Sequence, residues 1–255
     1  MAIVMVIIGI VITMGFEFTQ GYMERQRHVQ TRAKLDAVEE ALVTYVAQYR
    51  RLPCPADGVV GTGVENGSGS DVCADGQKNG VPPWRALGLP KDMVVDAWGN
   101  YLMYRVEDAT PGAGATRDYK KCETISPARD EGMNLSHCDP TASPSDLTGR
   151  LSGVGFFIAD KATGGTAIAD PSEQNGAAYV LISHGPEGEG AVEAGGGKIG
   201  TGGATDDEKE NFNADKSVSG TSPSPYIAAE RGSFDDYVRY ATIMQVAIRA
   251  GIGPH

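Results

Sequence analysis

The sequence predicts an α+β protein: one long N-terminal helix packed on a small antiparallel sheet, with long disulfide-tied loops. Three observations carry this. No proline interrupts residues 1–52, and Leu35, Val38, Leu42, Tyr45 and Tyr49 follow one another at spacings of 3, 4, 3 and 4, which is one helical stripe. After Pro53 the apolar runs become short and are bounded by Gly, Asp or Pro, as strands are. A helix followed by a series of strands is the α+β order. The four cysteines fall as two local pairs, Cys54 with Cys73 and Cys122 with Cys138.

The N-terminal element starts greasy. Residues 1–16 carry no charge, and MAIVMVIIGIVITMG is almost wholly apolar. As a helix, residues 1–15 span about 22 Å, against a bilayer core of about 30 Å that takes roughly 20 residues. No basic stretch precedes this run and no small-residue cleavage site follows it, so it is not a secretory signal. Arg25, Arg27, Arg32 and Lys34 all come after it, an order that alone would hold the rest of the chain in the cytoplasm. The cysteines argue for the other side. A basic leader and about five more apolar residues ahead of Met1 would remove both conflicts.

The same helix then continues as an amphipathic rod. Arg32, Asp36, Glu39, Glu40 and Arg50 lie off the apolar stripe, and Pro53 ends the element. Gly9, Gly15 and Gly21 are the points where it is weakest. Its stripe needs a sheet to cover it.

Beyond Pro53, residues 59–80 are rich in Gly, Asn, Ser and Asp and read as a loop. Strands are expected at 101–106, 154–159, 179–183 and 237–242, and a short helix at 243–250. Residues 107–150 form a second excursion. No CxxC occurs and the histidines lack zinc-site spacing, so two local disulfides are the simplest use of the cysteines. Each would contribute on the order of 3 kcal/mol by loop closure and requires an oxidising compartment. Trp98, before the Gly99-Asn100 turn signal, is expected as a core anchor, and Trp84 as an exposed contact residue.

Composition sets outer bounds. The chain has 255 residues, 41% of them hydrophobic, so a core is possible; 34 glycines and 7% aromatics point to long loops around a modest one. A formal net charge of −11 repels phosphate backbones, so no nucleic-acid partner is expected.

Little in the chain promises chemistry. Ser183 and His184 are adjacent, which does not suit nucleophile and base, and no nucleophile elbow surrounds them. Calcium is the one credible cofactor. Asp206, Asp207, Glu210, Asn213 and Asp215 place many hard oxygens within ten residues, but Lys216 stands where a calcium loop needs glycine. A solvated acidic loop accounts for the same residues.

Several segments together carry a family likeness. These are AIVMVIIGIV at 2–11, Tyr49-Arg50-Arg51-Leu52-Pro53 at the end of the helix, LPCPADG at 52–58, VPPWRALGLP at 81–90, DAWGNY at 96–101 and SHGPEGEGA at 183–191. With them the sequence resembles the superfamily of type IV pilins and type II secretion pseudopilins. The methylated start and early glutamate of that family match no residue here. The resemblance implies a pilin-like fold and a role in assembly rather than catalysis. Residues 1–21 would then be the transmembrane or filament-core half of the helix, 22–52 its amphipathic half, and 53–255 an extracytoplasmic globular domain. Ala2, Ile3, Val4, Val6, Ile7, Ile8, Ile10 and Val11 would be the assembly surface. A calcium-ordered loop near the C-terminus also belongs to the resemblance. The implied partners are copies of itself in a helical filament, the inner membrane before assembly, a prepilin peptidase and an assembly platform, in a Gram-negative cell. A pseudopilin is the alternative, and a signal-anchored periplasmic enzyme or binding protein, with a polar-lined pocket, a further one.

Overall fold

The computed structural model describes residues 2–58, 61–66, 73, 79–106, 155–193, 199–200, 205–212, 224–229 and 234–251, with side chains from Gly21 onward apart from Glu193. Helix α1 runs Ala2–Tyr49 without a break, so the weak glycines do not interrupt it. It stops three residues before the expected end. Arg50 takes a left-handed conformation, φ 57°, while its N–H still donates to Val46 O. The helix is therefore ended by a left-handed cap rather than by Pro53 itself.

The strands follow in order: β1 Asn79–Gly80, β2 Asn100–Tyr101, β3 Met103–Val106, β4 Ile158–Ala159, β5 Ala167–Ala169, β6 Ala177–Ser183, β7 Val192–Glu193, β8 Tyr226–Ile227 and β9 Tyr237–Thr242. Two short helices join them, α2 Asp206–Phe212 and α3 Ile243–Arg249. The main sheet has the order β1-β3-β6-β9 and is antiparallel throughout. Two smaller pairings stand beside it, β2 with β7, and β5-β4-β8. The four-stranded sheet is the antiparallel one expected, while in the smaller sheet the β4–β8 pair is parallel, Ile158 opposite Tyr226. The expected strand over 101–106 is split in two at Leu102, and that over 154–159 is reduced to Ile158–Ala159 plus a bridge from Phe156 to Ala177.

Strand β6 explains how the sheet is covered. Its run AAYVLIS is buried at every position. Tyr179 and Leu181 pack with Leu35, Val38, Leu42 and Val46 of α1, whereas Val180 and Ile182 pack with Met103, Phe156, Ile158 and Tyr226 on the opposite face. Side chains alternate along a strand, so one continuous apolar run feeds two cores. A register shift between Ala177 and Tyr179 breaks the alternation and turns Ala178 and Tyr179 to the same side. Fully burying each large aliphatic side chain of this core contributes roughly 1.5–3 kcal/mol.

The helical stripe is placed as expected over 35–45, with Val46 joining it. Tyr49 is the exception: it is 48% exposed and lies 4.4 Å from the Tyr45 ring. The helix ends there, one turn beyond the sheet's cover. Neither tryptophan sits as expected. Trp84 is buried against Tyr101, and Gly63, at φ 68°, leaves the space its ring needs, since a Cβ there would come within 2.1 Å of it. Trp98 is only half-buried. Cys54 and Cys73 are joined, with Cα atoms 5.5 Å apart. Cys122 and Cys138 lie outside the described residues.

Candidate functional site

Among the described residues, the neck of α1, residues 21–30, is the stretch of the helix that its own domain leaves uncovered. Here the helix has left its own domain: all but His28 are exposed, with Tyr22 at 63%, Met23 at 58% and Val29 at 62%. One turn higher, Thr31 is fully buried and accepts a hydrogen bond from Ala97 N–H at 3.1 Å. Lys34 donates to Val95 O at 2.7 Å. The junction between neck and domain is aromatic. His28 meets the Trp98 ring edge-on at 5.1 Å, and its Nδ1 hydrogen-bonds the Tyr237 hydroxyl. Arg32 lies over the Tyr237 ring at 5.3 Å. Trp98 is thus held against the helix rather than in the sheet core.

Further up, ion pairs fasten α1 to the rising chain β9–α3. Asp36 accepts from Arg239 Nε at 3.0 Å, and Glu39 and Glu40 both accept from Arg249. At the top, Glu65 is a hub. It accepts two bonds from Arg51, at 2.7 and 2.8 Å, one from Cys54 N–H and one from the Tyr45 hydroxyl. Burial alone would raise this carboxyl, but the Arg51 and Cys54 hydrogen bonds outweigh it and hold it below its usual range. Burial, then the Glu65 charge, pushes the Tyr45 phenol up.

The Ser183-His184 pair is separated by its own strand geometry. Ser183 Oγ donates to Asp96 Oδ2 at 2.9 Å, while His184 Nδ1 lies 3.2 Å from Asp236 Oδ1. Asp96 also accepts from Trp98 and Asn100 N–H, both at 2.9 Å, so it builds the turn before β2. Asp236 accepts from Asn211 Nδ2 at 2.9 Å, and Asn211 in turn brackets Ile227 through both its N–H and its carbonyl. All of these polar groups are buried. His184 Nε2 is buried without a hydrogen-bond partner among the described residues. Gly185, at φ 61°, is required here, because a Cβ would meet Asp235 O at 2.5 Å.

Beside this core several carboxylates share one region. Asp235 accepts from Glu187 N–H at 3.2 Å. Burial first, and then the carboxylates of Asp236, Glu187 and Glu208 against that one hydrogen bond, push its carboxyl up to about 6.

The acidic segment 206–215, read from sequence as a loop, begins as helix α2. Thr205 and Glu208 form a reciprocal cap, Thr205 N–H donating to the Glu208 carboxylate at 2.8 Å and Glu208 N–H to Thr205 Oγ1 at 3.2 Å. The T-x-x-E spelling of this cap was available in the sequence. In the helix Asp206 pairs with Lys209 at 3.1 Å and Asp207 accepts from Ala162 N–H at 2.6 Å, while Glu210 is half-buried. Among the described residues no three His, Cys, Asp or Glu side chains gather as a metal site. Asn213 and Asp215 lie outside the described residues.

No family model, curated protein or solved structure matches the chain. Among the described residues no helix is long and apolar enough to cross a membrane. Ala2, Ile3, Val4, Val6, Ile7, Ile8, Ile10 and Val11, expected from the resemblance as the assembly surface, all lie within α1. A shallow groove of about 370 Å³ between α1, β9 and α3 is lined by Glu39, Tyr240, Gln245, Ile248 and Arg249. Its charged groups already pair with each other, so few polar groups are left to orient a ligand. Sequence reasoning missed Asp96, Asn211 and Glu65. Asp96 alone had a visible signal, the Asp-x-x-Gly-Asn turn chemistry.

Proposed function

We propose that the chain is a structural subunit of a type IV pilus-like filament, polymerising through α1 and acting by assembly rather than catalysis. One observation carries the reading: a single 48-residue helix whose upper half is covered by its own sheet and whose neck presents Tyr22, Met23 and Val29 uncovered. An isolated helix gains little from exposing such residues, so the neck is built to be covered by something else. In this reading the apolar run starts in the inner membrane, a prepilin peptidase and assembly platform act on it, and the globular domain faces outward. Calcium is the cofactor the reading admits, at 206–215; an unchanged melting temperature on chelation removes it.

The test is electron microscopy of filaments sheared from the native cells, with mass spectrometry of the subunit's N-terminal peptide. Long filaments containing this chain are the expected result. Short periplasmic assemblies would make it a pseudopilin instead. A chain that stays monomeric in the membrane fraction would overturn the filament reading.

A further inference from the structure

An asparagine followed by a glycine is a reactive pair. The glycine backbone nitrogen can attack the asparagine side-chain carbonyl, because glycine has no Cβ to crowd the approach. Two such pairs lie wholly within the described residues, Asn79-Gly80 and Asn175-Gly176; a third, Asn66-Gly67, leaves them at Gly67. The fold treats the first two differently.

Asn79 and Gly80 form β1 and pair with Arg105 and Tyr104 of β3. Gly80 is pressed on the neighbouring chain, since a Cβ there would come within 2.4 Å of Ala56 O. Val81, the next residue, exchanges both of its backbone hydrogen bonds with Ala56, at 2.9 and 3.0 Å. Ring closure at Asn79 needs this strand to open.

Asn175 is exposed and sits in irregular chain between the left-handed Gln174, φ 63°, and the start of β6. Its N–H donates to Asp170 O at 3.0 Å, and its side chain makes no hydrogen bond among the described residues. The Gly176 carbonyl accepts from Ile243 N–H at 3.2 Å, but the Gly176 N–H donates to nothing among the described residues. The attacking nitrogen therefore gives up no hydrogen bond, and the side chain it attacks stands in solvent.

We infer that Asn175 is a site of spontaneous deamidation and isoaspartate formation, favoured by the fold over Asn79. Gly176 N loses its proton to solvent hydroxide and bonds to Asn175 Cγ. The Cγ–Nδ2 bond breaks, and Nδ2 takes up a proton from water and leaves as ammonia. Water then opens the cyclic imide at either carbonyl. One opening gives aspartate; the other routes the main chain through Cβ and Cγ and lengthens it by one carbon. Both add a negative charge close to Asp170 and exposed Glu173. The longer product meets a chain that is fixed on both sides. Asn175 N–H is held by Asp170, Gly176 O by Ile243, and Ala177 exchanges both bonds with Phe156 at 2.8 and 3.0 Å. Gly176 is itself buried, with Gly155 so close that a Cβ on it would come within 2.8 Å of Gly176 C. Isoaspartate therefore loosens the entry to β6, the strand that both cores share. The reaction needs no assembly, so it stands or falls apart from the filament reading.

The test ages the full chain, purified in mild detergent, at mildly alkaline pH. Amide-to-acid conversion of each Asn-Gly peptide is followed by mass spectrometry, and isoaspartate is detected by isoaspartyl methyltransferase labelling. In the folded chain Asn175 is expected to convert about tenfold faster than Asn79, which reacts only when its strand opens. In guanidinium chloride the two rates should converge. Asn175→Gln, at an exposed position, should remove the faster signal and leave that of Asn79. Equal rates in the folded chain, or a ratio that denaturant does not change, would overturn the inference. Asn175→Asp separates charge from chain length: the aged wild type should melt below it, and an aged chain that melts no lower would overturn the loosening of β6.

Discussion

The end of the domain where α1 stops and the end where α1 leaves it are composed on opposite terms. At the top, Arg51, Tyr45 and a backbone N–H converge on one carboxylate, Glu65, and the Cys54–Cys73 bond closes over it. At the bottom, burial and then the carboxylates of Asp236, Glu187 and Glu208 act against the charge of Asp235, Arg25 and Arg27 have no ion-pair partner among the described residues, and Tyr22 and Val29 meet solvent. The same helix and the same chain supply both ends. A folding chain can pair such charges internally, as the top does. The bottom instead leaves basic and apolar side chains of the neck in solvent.

That contrast can be broken from the top first. Replacing Cys54 and Cys73 by Ser opens a loop of 19 residues and is expected to cost about 3 kcal/mol, read as a lower denaturant midpoint. Next in size is Arg51→Ala, which leaves the Glu65 carboxylate beneath the loop without its cation; a loss of about 2 kcal/mol is expected by thermal unfolding. The same hub has a pH signature. Because Glu65 is held below its ordinary value of 4.5, its contribution is fully present above that pH and disappears as pH falls through the lowered folded-state value. Wild type and Glu65→Gln should therefore converge in stability on acidification.

The bottom should respond with the opposite sign. Asp235 titrates near 6 in the folded chain against 3.8 ordinarily, so the folded state holds this proton more tightly than the unfolded one. Its contribution favours folding below about pH 4 and is lost as pH rises through 6, leaving an ionised carboxylate among its own kind. Asp235→Asn is thus expected to raise stability at pH 7.5 by up to about 1 kcal/mol, discounted for solvent screening, and to change it little at pH 4. A destabilised variant at pH 7.5 would show that the hydrogen bond from Glu187 outweighs the burial of the charge and its repulsion by the neighbouring carboxylates. The smallest effect sharpens the contrast: Val29→Ala on the neck should shift stability of the isolated chain by less than about 0.5 kcal/mol. Unfolding curves in mild detergent that shift further would mean that the neck is covered by its own chain.

Much of the fold was legible because its signals are local. The stripe Leu35–Val38–Leu42–Tyr45, the apolar run of β6, and Tyr237–Thr242 followed by a T-x-x-Q cap at Thr242 and Gln245 are each specified within a few residues. The parallel β4–β8 pair was not, since it joins Ile158 to Tyr226, residues far apart in sequence. The tryptophans were misplaced for a similar reason. Which of them is buried depends on Gly63 and Tyr101 for one and on His28 and Tyr237 for the other, partners distant in sequence. The charge imbalance of the neck was readable as composition, whereas the pairing of Asp36, Glu39 and Glu40 with Arg239 and Arg249 joins residues distant in sequence and was not.

The ladder of contacts along α1 has a mechanical side. His28 meets Tyr237, Asp36 meets Arg239, and Glu39 and Glu40 meet Arg249, so β9 and α3 ascend in the same direction as the helix. A pull applied at the neck along the helix axis loads these rungs, and the buried stripe behind them, in parallel. They cannot be peeled one at a time. Above them the Cys54–Cys73 bond ties the chain just past the helix's end. Tension on the neck is therefore resisted in shear along the whole covered half of α1.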